Sequence, residues 1–168
     1  MPDFFGAVAA STLDPAAAPP GVNNPACKLS AAHPRPVILI TGTFENMVDN
    51  WSAMGPVLAD NGYCVFSMAH GAPAGNFLQS VGPFVDSANQ VAAQIDSVIA
   101  GYGGKVKVDL VGHSQGGTLA LYIAKVLKYA PKIGGKGRAH EDVSWARPME
   151  YLAGYSAFRL SGRRKRLP

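Results

Sequence analysis

The sequence predicts an α/β fold in which a parallel β-sheet lies between two layers of helices. Three short apolar runs have the length and β-branched character of strands that are buried on both faces. Each run is followed by a segment with the 3.6-residue apolar period of a helix. Because strands and helices alternate along the chain, right-handed parallel crossovers and a sheet covered on both faces are expected.

The first predicted strand is Val37-Ile38-Leu39-Ile40, which ends in the loop Thr41-Gly42-Thr43. A helix should follow, with Asp49 or Asn50 as its N-cap and Gly62 at its end. Four apolar residues mark this helix at helical spacing: Trp51, Met54, Val57 and Leu58.

The second predicted strand is Tyr63-Cys64-Val65-Phe66, and its exit leads through His70 into a loop that contains Gly and Pro. A second helix ends at Gly101 and carries one apolar face, made of Phe84, Ala88, Val91, Ala92, Ile95 and Ile99. The third strand covers residues 106–111. A third helix, closed by Pro131, carries the stripe Leu119, Ile123, Val126 and Leu127.

The length of 168 residues predicts a single domain. Residues 1–35 are rich in Pro and Ala and should form an extended arm, residues 36–130 a partial core, and residues 131–168 a basic tail of unassigned structure. That tail holds nine of the 15 Lys and Arg but three of the 11 acids. A solvated terminus is therefore favoured over a site for nucleic acid or anionic lipid. No apolar run is long enough to span a bilayer.

Cys27 and Cys64 can form one disulfide or remain two free thiols, and they do not suffice for a metal cluster. A bridge would join the N-terminal arm to the sheet edge and would indicate an oxidising compartment. The N-terminus, Met1-Pro2-Asp3-Phe4-Phe5, lacks the basic and long apolar regions of a secretory signal.

The motif Gly112-His113-Ser114-Gln115-Gly116 lies between the third strand and its helix. Glycines on both sides of a serine allow the sharp strand-to-helix turn that exposes the nucleophile of an α/β-hydrolase. We therefore predict a three-layer α/β-hydrolase-type parallel sheet, N-terminal half only, with Ser114 as nucleophile. The alternative is an ordinary Gly-rich turn. The backbone N–H groups of Thr43 and Gln115 fit the two donors of an oxyanion hole.

Five segments occur in an order typical of one family: residues 32–40, 42–47, 49–51, 61–65 and 112–117. Through them, residues 20 to 130 resemble the secreted actinobacterial triacylglycerol lipases and esterases of the class 2 type. The resemblance implies an extracellular carboxylic ester hydrolase that acts on acylglycerols or similar lipid esters without a cofactor. It also implies that Cys27 and Cys64 are paired.

Two features depart from this family. Thr41 stands before the oxyanion-loop glycine, where these enzymes usually have His. The triad acid and base should also follow Ser114 in the chain, and four residues remain there as candidates: His140, Glu141, Asp142 and Glu150. His140 and Asp142 are too close in sequence to end two successive strands. His113 is expected to pack within the elbow or to support the catalytic residues without touching substrate, and His70, at a strand exit, is the remaining substitute base.

The resemblance predicts another strand soon after residue 130, where the sequence instead becomes basic and aperiodic. We therefore hypothesise that residues from about 134 onward are a frameshifted or otherwise aberrant end. The expected function is a serine lipase or esterase of impaired activity. A non-catalytic lipid-binding fragment, and an acyltransferase or thioesterase on the same fold, are the alternatives. The sequence does not indicate the oligomeric state.

Overall fold

A computed structural model of the chain describes residues 14–73, 76 and 78–134. In chain order its elements are β1 (Val37–Ile40), α1 (Met47–Trp51), α2 (Met54–Asp60), β2 (Val65–Ser67), α3 (Phe84–Gly101), β3 (Asp109–Gly112), α4 (Gln115–Lys125) and a 3₁₀ helix (Ala130–Lys132). None of the helices in these described ranges is long and apolar enough to cross a membrane.

The three strands form one parallel sheet in the order β2-β1-β3. In the register of this sheet, Leu39 of β1 pairs with Ser67 of β2 and with Val111 of β3. The chain adds β2 on one side of β1 and then returns to add β3 on the other side. Such a reversal of strand order opens a crevice outside the carboxyl ends of the strands, where open α/β sheets bind ligands.

The side chains of β1 alternate between two apolar layers. Ile38 and Ile40 pack in the larger cluster with the buried faces of α3 and α4. Val37 and Leu39 pack on the opposite face with Trp51, at the end of α1. The four strand residues are 0 to 5% exposed, because each face of this short strand is covered by helices. This arrangement confirms the predicted α/β fold with a parallel sheet.

The first predicted helix is two helices, α1 and α2, and its predicted N-cap was wrong. Asn46, rather than Asp49 or Asn50, caps α1, and its side chain accepts hydrogen bonds from the backbone N–H groups of Val48 and Asp49. Pro56 explains the break, because a continuous helix would need a Pro56 N–H to donate to the carbonyl of residue 52.

The break also changes which apolar side chains of this segment are buried. Trp51 is buried, whereas Met54 and Val57 are exposed, so helical spacing alone misplaced the last two. The predicted end of the helix is correct. Gly62 follows α2 with a φ of 84°, the left-handed conformation that glycine adopts after a helix.

A disulfide between Cys27 and Cys64 joins the N-terminal arm to the sheet, which confirms the pairing that the resemblance implied. The two Cα atoms are 5.6 Å apart, within the usual range for a bridge. The arm also reaches the edge strand β2 directly, since Val22 forms a parallel bridge with Val65. From residue 14 to residue 35 the chain forms no helix and no strand longer than that bridge.

At the opposite edge of the sheet, Ile133 forms a parallel bridge with Val108 just before β3. The backbone N–H of Val108 donates to Lys132 O at 3.0 Å, and that of Gly134 donates to Val108 O at 2.8 Å. Pairing on this side therefore begins where the resemblance predicts a further strand. Helix α4 ends at Lys125, earlier than predicted. The basic tail beyond residue 134, with the hypothesis of an aberrant end, lies outside the described residues.

Candidate active site

Ser114 is the second of the two residues, after His113, between the end of β3 and the start of α4. Its backbone has φ 51° and ψ −118°, a conformation that L-residues with a side chain rarely adopt, and the residue is exposed. Such strain costs on the order of 1–3 kcal/mol and persists where the surrounding structure enforces it, most often at functional sites. The turn therefore presents the Ser114 hydroxyl to solvent at the carboxyl edge of the sheet.

The glycines on either side of Ser114 allow backbones to approach one another. A Cβ on Gly112 would overlap the backbone of Gly116 and Gly117, at the start of α4. A Cβ on Gly116 would overlap the carbonyl of Ile40 and come within 2.8 Å of Thr41 O. Side chains at either position would push the elbow away from the helix or from β1, so both glycines are required for the turn.

The loop after β1 lies directly against the nucleophile elbow. A Cβ on Gly42 would be 3.1 Å from Ser114 Cβ, so the space between the two residues has no room for a further side chain. Thr43 is the next residue. Within the described residues, neither the Thr43 nor the Gln115 backbone N–H donates a hydrogen bond to protein. Both donors are thus available to an oxyanion, and their assignment as the oxyanion hole stays a prediction.

A polar bridge links this loop to the elbow. His113 Nδ1 is 2.7 Å from Glu45 Oε2 and 3.0 Å from Asn50 Nδ2. Asn50 Oδ1 in turn accepts a hydrogen bond of 2.9 Å from the backbone N–H of Gly42. These polar contacts fit the supporting role that was one of the two expected for His113, rather than packing alone. The sequence analysis assigned no role to Glu45 and considered Asn50 only as a helix cap, although both lie in segments that carry the family resemblance.

A second polar cluster surrounds Thr41, the residue that stands where the family usually has His. Thr41 Oγ1 is 3.1 Å from His70 Nε2 and 2.9 Å from Ser80 Oγ, and all three side chains are buried. Burial lowers the pKa of His70, and a hydrogen bond with the Thr41 backbone opposes this only in part. Thr41 is thus held by His70, a buried histidine from the loop after β2 whose lowered pKa favours the neutral ring.

In the part of the chain that the structure describes, no histidine is hydrogen bonded to the Ser114 hydroxyl. His70 contacts Thr41 and Ser80, His113 contacts Glu45, and the His33 ring stacks on a tyrosine with centroids 3.7 Å apart. No cluster of three or more potential metal ligands occurs in those same ranges. The triad candidates in the tail lie outside the described residues: His140, Glu141, Asp142 and Glu150.

Comparison of the sequence with known proteins identifies the family of this chain. The chain matches the family described as Lipase (class 2) over residues 34–131. It is 35% identical over 122 residues to a triacylglycerol lipase of Burkholderia plantarii. The aligned region covers 70% of this chain and 32% of that protein. A triacylglycerol lipase of Pseudarthrobacter phenanthrenivorans is 36% identical over 101 residues, or 57% of this chain and 30% of that protein. This chain thus spans about a third of the length of these relatives. Since the family match extends over more than half of its residues, the chain belongs to the class 2 lipase family.

Proposed function

We propose that the chain is a carboxylic ester hydrolase that acts on lipid esters through an acyl-enzyme at Ser114. One observation carries the proposal, namely the exposed Ser114 with a positive φ at the strand-to-helix turn, so near the loop after β1 that a Cβ on Gly42 would lie 3.1 Å from its own Cβ. Both segments leave the carboxyl ends of adjacent strands, where the strand order reverses. An ester carbonyl that enters this crevice would meet the hydroxyl together with the backbone N–H groups of Thr43 and Gln115.

In the proposed reaction the Ser114 oxygen attacks the ester carbonyl carbon, and the carbonyl oxygen becomes an oxyanion. The backbone N–H groups of Thr43 and Gln115 donate hydrogen bonds to that oxyanion. The carbon–alkoxy bond then breaks, the alcohol leaves with a proton, and Ser114 retains the acyl group. Water attacks the acyl-enzyme in the second step, which releases the carboxylic acid and returns a proton to Ser114.

We assign no general base, because His70 and His113 are held by other partners and His140 lies outside the described residues. Hydrolysis is therefore expected to be slow. In a serine hydrolase, loss of triad members lowers kcat by about 10⁴ to 10⁶, and a residual rate above that of water remains from the oxyanion hole and substrate binding.

Lipid esters are the proposed substrate class, and an extracellular location is proposed with it. Two relatives are named triacylglycerol lipases. Phe44, which follows Thr43, is 63% exposed, so it offers apolar surface to an acyl chain beside the proposed oxyanion hole. The disulfide between Cys27 and Cys64 supports an oxidising compartment.

The proposal is tested by the hydrolysis of p-nitrophenyl butyrate with the full chain and two serine variants. We expect the wild-type chain to hydrolyse the ester faster than buffer alone. Ser114→Ala should lose this activity, because the substitution removes the attacking oxygen. The matched control is Ser97→Ala, which changes an exposed serine on α3 and should retain the wild-type rate. Equal rates in the wild type and Ser114→Ala would refute the proposal.

A further inference from the structure

We propose that Glu45 and Asn50 are positioning residues for the loop after β1: Glu45 holds the loop against the nucleophile elbow through His113, and Asn50 holds the loop backbone at Gly42. This inference rests on the function proposed above. The bridge joins three elements that the fold brings together: the loop after β1, helix α1 and the elbow after β3. The two partners of its shortest contact are 68 residues apart in the sequence.

The contacts of the bridge surround the two proposed oxyanion donors. Gly42 and Glu45 lie on either side of Thr43 in the chain, and both are bonded within the bridge. On the elbow, the bridge ends at His113, which is two residues before Gln115 and adjacent to Ser114. The Glu45–His113 bond therefore ties the loop to the elbow and the Asn50–Gly42 bond ties the loop to α1, and together they fix the two backbone N–H groups relative to the nucleophile.

The donor and acceptor roles within the bridge follow from its geometry. A Glu45 carboxylate can only accept, so His113 Nδ1 must carry the hydrogen that lies in the 2.7 Å contact. Asn50 is oriented by its bond with the loop, since Oδ1 accepts from the Gly42 N–H. Asn50 Nδ2 is then a donor that faces the protonated His113 Nδ1 at 3.0 Å, so this approach is a packing contact and not a second hydrogen bond to the ring. Glu45 thus accepts a hydrogen bond from the elbow, while Asn50 accepts one from the loop backbone.

The exposure of the bridge indicates that its role is geometric rather than one of bulk stability. The His113 and Glu45 side chains are 23% and 32% exposed. Ion pairs that solvent reaches contribute little to stability, so the melting temperature should change by no more than about 4 °C when the pair is broken. A displacement of about 1 Å in a catalytic group, in contrast, can lower the rate about 10²-fold.

The kinetic test compares Glu45→Ala, Glu45→Gln and Asn50→Ala in the hydrolysis of p-nitrophenyl butyrate. We expect kcat to fall about 10-fold to 100-fold in the two alanine variants with KM within twofold of the wild type. Glu45→Gln should recover part of kcat, because its amide oxygen can still accept from His113 Nδ1. The matched control is Asp96→Asn, which breaks the exposed pair between Asp96 and Lys132 and should leave kcat unchanged. An unchanged kcat in Glu45→Ala would overturn the proposal.

A second measurement decides the proposal independently of activity. Amide hydrogen exchange, followed by NMR, reports on the Gly42 N–H that Asn50 holds. We expect exchange at Gly42 to accelerate at least about tenfold in Asn50→Ala and Glu45→Ala and to stay constant in Asp96→Asn. Wild-type protection of Gly42 in either alanine variant would overturn the proposal. If the wild type shows no hydrolysis that depends on Ser114, the proposed function fails, and the exchange rates still decide whether the bridge holds the loop.

Discussion

Gly42 is the position where one added methyl group should separate the oxyanion loop from the nucleophile. An alanine Cβ there would lie 2.5 Å from Glu45 Oε2, 3.0 Å from His113 Nδ1 and 3.1 Å from Ser114 Cβ. Glu45 can swing away, but Ser114 is fixed by a strained turn. Since carbon atoms prefer separations of about 3.5–4.0 Å, the loop must move by roughly 0.5–1 Å.

That displacement sets the expected magnitude for Gly42→Ala. We predict that kcat for p-nitrophenyl butyrate falls on the order of 10²-fold, and that overpacking costs about 1–3 kcal/mol in the free energy of unfolding. Gly101→Ala is the matched control, because a Cβ at that helical position meets nothing within 4 Å. Gly101→Ala should keep the wild-type kcat, and its free energy of unfolding should stay the same or rise by up to about 1 kcal/mol. If Gly42→Ala retained wild-type kcat, the reasoning that places this loop at the reacting carbonyl would be refuted.

Two further predictions concern the framework around the site. The disulfide closes a loop with a sequence separation of 37. The double variant Cys27→Ala and Cys64→Ala should therefore lose about 4 kcal/mol of the free energy of unfolding, measured in urea. A loss under about 1 kcal/mol would contradict the chain-entropy account. Burial lowers the pKa of His70, so below a pH of about 6.5 the unfolded chain binds that proton more readily than the folded one. Stability should therefore fall as the pH drops from 6.5, by at most about 1.4 kcal/mol per pH unit from this group. His70→Gln should remove that part of the slope in thermal unfolding at pH 7.5 and 5.5, and an identical slope in the variant would exclude His70 as its source.

The strands and the elbow could be predicted from local sequence because their signals are local. A continuous apolar run at residues 37–40 indicates a strand covered on both faces, and it is buried as expected. Ser114 was predicted from two flanking glycines that lie between a strand and a helix. Apolar spacing failed where a local breaker intervened, since Pro56 divided one predicted helix into two.

The polar contacts of the site could not be predicted, because they join residues that are distant in the sequence. Glu45 and His113 meet only because β1 and β3 are neighbours in the sheet. Thr41 and His70 meet because the exits of β1 and β2 converge. The apolar period of a strand or a helix does not report contacts between distant polar side chains. The residues around Glu45 indicated only a family resemblance.

The most direct test of the central claim is the site of covalent labelling by a fluorophosphonate probe, mapped by mass spectrometry on the full chain. We predict one phosphonyl group per chain, on Ser114, and no labelling of Ser114→Ala. A wild-type chain that stays unlabelled, or one that carries the phosphonyl group on another serine such as Ser97, would contradict the account.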